Sequence, residues 1–175
     1  MFTDDTHVLF AADTCGATTE LLTAVKQWPI PLIDQPISDL ASRLIACYGL
    51  TSLPTLLIPT DVPQISAKQI DLAFQRLISN RQAVIGITLD GGFWCLGLNG
   101  VQPVFLETID FTSPSCAVDI STSLADENVD IFLMPDVLCD IDTLHDCEIV
   151  ADEWPNLRFS RQYRATRIEK EPKNI

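Results

Sequence analysis

The sequence predicts an α/β domain whose largely parallel sheet is covered on both faces by helices, and three observations carry that prediction. Short apolar runs of strand length recur at 7–12 (HVLFAA), 30–33, 55–58, 83–88 (AVIGIT), 93–98 (FWCLGL) and 129–134 (VDIFLM). Between most of them lie longer segments with apolar residues at helical i, i+3, i+4 spacing. Acids, glycines and prolines punctuate the ends of the runs, as they do where buried strands open into loops.

Taken in order, the first run ends at Asp13, and residues 14–27 read as a helix packing Ala17, Leu21, Leu22, Ala24 and Val25, with Pro29 and Pro31 closing it. A helix starts at Ser38, where Ile37, Leu40, Ala41, Leu44, Ile45 and Tyr48 keep one face and Gly49 stands at the C-terminal cap. Within residues 53–64 (LPTLLIPTDVPQ), Thr55 to Ile58 read as a buried strand that ends at Pro59 and delivers Asp61 just beyond its end. Ser66 is then placed to cap a helix built on Ile70, Ala73, Phe74 and Leu77. The run at 83–88 leads through Asp90-Gly-Gly92 into a return strand and an Asn99-Gly100 turn. Thr112-Ser-Pro-Ser115 starts a helix that buries Ala117, Val118, Ile120 and Leu124. The last strand stops at Pro135, Asp140-Ile-Asp142 follows, and a short helix runs from Asp146 to Glu153.

At 175 residues the chain suits one domain, taken as 1–153, followed by a basic segment, 154–175. Apolar content of 47% excludes a disordered class. No apolar run reaches the ~18–20 residues of a membrane span, and the N-terminus lacks a signal-peptide pattern, so a soluble cytoplasmic protein is expected, with no membrane partner. The net charge of −13 argues against nucleic acid as a partner. That charge is uneven: residues 154–175 carry +4 and the remainder −17. The basic segment is either a solvated tail or folds onto its own or a neighbour's acidic surface. Six scattered cysteines, without a CxxC pair, read as reduced structural residues. The two histidines accompany no hydrolase signature.

Three acidic loops fall at strand ends: Thr60-Asp61, Asp90-Gly-Gly92 and Asp140-Ile-Asp142. Ligands of open α/β sheets bind at the carboxyl ends of strands. Carboxylates gathered there suit Mg²⁺ or Mn²⁺, hard cations that prefer oxygen and can hold a diphosphate. Gly91 and Gly92, lacking Cβ, permit the bend and a close backbone approach to a ligand. Each loop alone is an ordinary turn; the three in this order are informative.

That order resembles the GT-A-type nucleotide-diphospho-sugar transferase superfamily, and within it the radical-SAM/selenodomain-associated transferase-like family. Thr60-Asp-Val-Pro-Gln-Ile65 stands where such proteins carry SDSPDL, and Gly86-Ile-Thr-Leu-Asp-Gly-Gly-Phe-Trp-Cys-Leu-Gly-Leu98 is similar to their GPAxDGGYYLLGL segment. Phe111-Thr-Ser-Pro-Ser-Cys-Ala-Val118 resembles WSTPxVL, and Asp140-Ile-Asp-Thr-Leu-His-Asp-Cys147 resembles DVDTPEDL. Gln35, Asp39, Leu40 and Arg43 resemble the Q…DLGERM helix. The resemblance covers about residues 7–150 and implies a Rossmann-like GT-A three-layer sandwich. It implies Asp61, Asp140 and Asp142 as metal ligands, Asp90 as the catalytic residue at the acceptor pocket, and Gly91, Gly92, Phe93 and Trp94 around the substrate. The family's first strand and its nucleotide loop, FAKAPxPGxVKTRL, have no counterpart, and Lys26 and Arg43 are the only Lys or Arg before residue 68. A phosphate cluster needs cations or a nest of N–H groups. Two expectations follow. The preferred one is a degenerate relative acting as a binding or assembly module that self-associates. The alternative is an active Mg²⁺- or Mn²⁺-dependent glycosyl- or nucleotidyltransferase using a nucleotide-sugar. The missing strand would leave the edge of the 55–58 strand open, to be closed by 7–12 or by a second chain.

Overall fold

The computed structural model describes residues 8–12, 29–35, 38–78 and 82–170, with isolated positions 19, 23, 26 and 27. The expectations for Asp13, Cys15, Trp28, Ile37 and most of the 14–27 helix lie outside the described residues. The strands are β1 (Phe10–Ala12), β2 (Leu32–Asp34), β3 (Thr55–Leu57), β4 (Gln82–Ile87), β5 (Phe93–Leu98) and β6 (Asp130–Leu133). The helices are α1 (Leu40–Tyr48), α2 (Ala67–Leu77), α3 (Cys116–Asp126), α4 (Leu144–Glu153) and α5 (Arg158–Lys170), with a 3₁₀ helix at Pro103–Thr108.

The sheet is mixed, which corrects the largely parallel expectation. Four strands lie in the order β3-β5-β4-β6, and only the β4–β6 pair is parallel. The Asp90-Gly-Gly92 bend returns β5 beside β4, and β5 then sits between β4 and β3, so both of its ladders are antiparallel. β1 and β2 pair parallel in a separate two-stranded sheet. Among the described residues β3 has β5 as its one strand neighbour, so β1 does not close that edge.

Alternation along the central strands sends side chains to two cores. Ala83, Ile85, Leu96 and Leu98 face α3, the 3₁₀ helix and Tyr48, together with Cys116, Ile120, Leu124, Phe105 and Leu106. On the opposite face Val84, Trp94 and Cys95 pack with Ala73 and Leu77 of α2 and with Met134 and Leu138. Helix, sheet and helix therefore form three layers. The end of α1 is fixed to the central strand by the buried Tyr48 hydroxyl, which donates to the Leu96 carbonyl at 2.7 Å.

Caps set the helix starts. Asp39 accepts from the Ser42 amide ahead of α1, and Ser66 and Gln69 form a capping box ahead of α2. Thr143 and Asp146 do the same ahead of α4, so that helix begins at Leu144. The basic segment is not a solvated tail. α5 folds back antiparallel on α4, where the buried Ser160 hydroxyl donates to the Trp154 carbonyl at 2.7 Å. Arg164 donates to the Ala151 carbonyl at 2.6 Å, and Arg167 pairs with Glu148. No helix among the described residues is long and apolar enough to cross a membrane.

A candidate metal centre at the sheet edge

Thr88 directly follows β4, and its buried hydroxyl donates to Asp90 Oδ1 at 2.5 Å, while the Gly92 amide donates to the same oxygen at 2.9 Å. These bonds tie the Asp90 side chain to its own turn. Gly91 has φ +93°, and a Cβ there would lie 1.8 Å from the Pro114 carbonyl oxygen. The close approach that this glycine permits is therefore to the start of α3, where the Ala117 amide donates to the Gly91 carbonyl. At Gly92 a Cβ would lie 2.9 Å from Thr88 Oγ1, so this glycine keeps the Thr88–Asp90 contact open.

Asp140 and Asp142 follow the parallel bridge between Thr88 and Leu138. Asp90, Asp140 and Asp142 each place a carboxylate oxygen so that all three lie within 4.8 Å of one another. The first and last are exposed and Asp140 is half-buried. Loss of water, followed by the charges of Asp90, Asp142 and Asp61, pushes the Asp140 carboxyl from 3.8 up to about 6. Asp61, at the surface after β3, stands outside that triplet but near enough to feel it. Desolvation first, then Asp142 and Asp90, hold its carboxyl above the ordinary value. The Ile141 amide donates to the Asp61 carbonyl at 3.0 Å, joining the two loops. Three hard oxygen donors around one point are the chemistry of an Mg²⁺ or Mn²⁺ site. Among the described residues no Lys or Arg is seen to pair with these acids; the pairs Arg164–Asp152 and Arg167–Glu148 lie elsewhere.

The sequence grouped Asp61 with Asp140 and Asp142 and gave Asp90 a separate role; the structure brings Asp90 into the triplet and leaves Asp61 at its rim. Phe93 is half-buried and meets Phe111 edge-on, with ring centroids 6.5 Å apart. Trp94 corrects an expectation: it is fully buried, and its indole nitrogen donates to the Asp136 carbonyl at 3.1 Å. It packs in the α2-side core and lines no ligand surface. Sequence reasoning missed Thr88 and Gln64. A Thr two residues before an Asp in a turn was the available signal for the first, and nothing in the sequence marked the second as buried.

The profile of a family described as "Uncharacterized protein conserved in bacteria (DUF2064)" matches residues 3–113. The chain belongs to the DUF2064 family. The matched span of this DUF2064 chain includes Asp61 and Asp90 and ends before Asp140. No curated protein matches it in sequence. Among solved structures, the crystal structure described as that of a putative nucleotide-diphospho-sugar transferase from Desulfovibrio desulfuricans G20 superposes with a TM-score of 0.73. It is 17% identical over 87% of this chain and 71% of that one, a likeness of fold.

Proposed function

We propose that this DUF2064 domain binds a divalent cation, Mg²⁺ or Mn²⁺, through Asp90, Asp140 and Asp142, and acts as a binding module without full transferase activity. The convergence of the three carboxylate oxygens within 4.8 Å is the observation that carries this reading. A bound cation would neutralise part of the carboxylate repulsion that, after desolvation, raises Asp140, and its chemistry is charge compensation for an anionic ligand. With Asp61 beside the triplet, four carboxylates face one divalent charge, so the centre stays negative at neutral pH. A diphosphate added to it finds no Lys or Arg paired at the site among the described residues to offset its charge. That balance favours a module over a catalyst, and self-association belongs to the same proposal.

Thermal melting tests the reading. Mn²⁺ or Mg²⁺ is expected to raise the midpoint, and Asp140→Asn together with Asp142→Asn to remove the rise; no shift in the wild-type protein would sink the proposal. The active-transferase reading is favoured by the superposition over most of the chain. It requires a further rise when a nucleotide-sugar is added with the cation, lost in Asp61→Ala.

A further inference from the structure

Gln64 is 6% exposed, an unusual place for a glutamine, in the loop between β3 and α2. Its Nε2 donates to the Cys139 carbonyl at 2.6 Å. The assignment follows from the acceptor: the other amide atom would set oxygen against oxygen. Its Oε1 is buried and accepts no hydrogen bond among the described residues. Burying an unpaired amide oxygen is unfavourable, and an apolar side chain of similar size would fill the same space without it. Packing alone therefore does not account for this glutamine.

The bond to Cys139 falls beside the acidic centre. Cys139 directly precedes Asp140, and Ile141 directly follows it and donates to the Asp61 carbonyl at 3.0 Å. The segment containing Asp61 and Gln64 thus grips the backbone on both sides of Asp140. Thr88 and Gly92 hold the Asp90 carboxylate, but no side chain among the described residues hydrogen-bonds that of Asp140. The Asp140 carboxylate takes its place from the backbone that these two bonds fix.

We propose that Gln64 is a positioning residue of the cation centre: through the Cys139 carbonyl it holds the Asp140–Asp142 segment where its carboxylates meet that of Asp90. The inference rests on the cation-binding reading above. Groups behind metal ligands act in this way, and their loss weakens affinity by about 10–100-fold.

The test uses the full chain and Mn²⁺ as the probe. Gln64→Met keeps the bulk and removes the donor; Gln64→Asn stays polar but is one methylene too short to reach Cys139. By calorimetric titration both are expected to bind Mn²⁺ about 10-fold more weakly than wild type. Gln69→Met, which removes the side-chain half of the α2 capping box and a bond to Asp136 but neither of the bonds that hold Cys139 and Ile141, is expected to bind like wild type. In the metal-free state Gln64→Met is expected to melt near the wild-type midpoint, because it removes one buried unpaired oxygen and creates another. Amide exchange at Ile141 is expected to quicken, as a purely space-filling role would not require. Equal Mn²⁺ affinity in wild type and Gln64→Asn would overturn the positioning role and leave the cation site standing. A wild-type protein that binds no Mn²⁺ would overturn both, and unchanged Ile141 exchange in Gln64→Met would remove the clamp itself.

Discussion

Asp140 concentrates the electrostatic consequences of the centre in one titration. Its carboxyl ionises near pH 6 in the fold against 3.8 for an ordinary aspartate. The folded state therefore holds this proton more tightly than the unfolded chain does. The stability it contributes is present below about pH 4 and is lost as pH rises to about 6. Asp39, Asp110 and Asp146 act with the opposite sign, because their hydrogen bonds to nearby hydroxyls and amides lower their values. Their stabilisation fades only as pH falls below the ordinary aspartate range, so the two windows separate. Metal-free protein is expected to lose stability between pH 4 and 6 in wild type, and to lose less in Asp140→Asn. Denaturant titrations across that range check it, and parallel wild-type and variant curves would refute it. Saturating Mg²⁺ is expected to reverse the slope, since a cation competes with the proton.

Among the elements, β5 decides the architecture. The β4–β5 register pairs Gly86 with Cys95 and Ile87 with Phe93, leaving Trp94 as the extra residue of a bulge. The bulge swings the indole across the sheet face over Gly86, where a Cβ would lie 2.2 Å from Trp94 Cε2. The ring cannot yield easily, being fully buried and bonded to Asp136. Gly86→Ala is therefore expected to destabilise the domain by about 1–3 kcal/mol, measured by chemical denaturation. A neutral substitution would mean that the indole moves freely. This bulge also marks a boundary of what sequence reasoning could see. Strict alternation would send Trp94 and Cys95 to opposite faces, yet both pack on the α2 side. The strands and the caps at Ser66 and Gly49 were legible because apolar runs and capping residues are local signals. Strand direction was not. Whether β3 pairs in parallel or antiparallel depends on which strand lies beside it, and no local pattern carries that.

At the scale of the whole molecule the same division holds. All four carboxylates of the acidic edge were visible as residues at strand ends. Which three of them meet was not, because that depends on the Thr88–Leu138 bridge and the Ile141–Asp61 bond, which join residues 50 and 80 positions apart. The charge imbalance between the basic segment and the acidic remainder was equally visible, but not what joins them. The structure attaches α5 to α4 by more than charge. Val150 and Ala151 are buried, and Ser160 and Arg164 donate to backbone carbonyls at 2.7 and 2.6 Å. The Arg164–Asp152 pair is by contrast exposed, with the aspartate side chain 81% accessible, and such pairs contribute little. Packing and buried hydrogen bonds are therefore expected to dominate. Amide protection across α5 should change little between about 0.1 M and 1 M NaCl, although the screening length shrinks about threefold over that range. Release of α5 by salt would instead make the attachment electrostatic. Truncation after Glu153 is expected to cost about 1–3 kcal/mol, since it removes the hydrogen bonds that Ser160 and Arg164 make to the Trp154 and Ala151 carbonyls. Added salt should not restore that loss, because screening does not replace those hydrogen bonds.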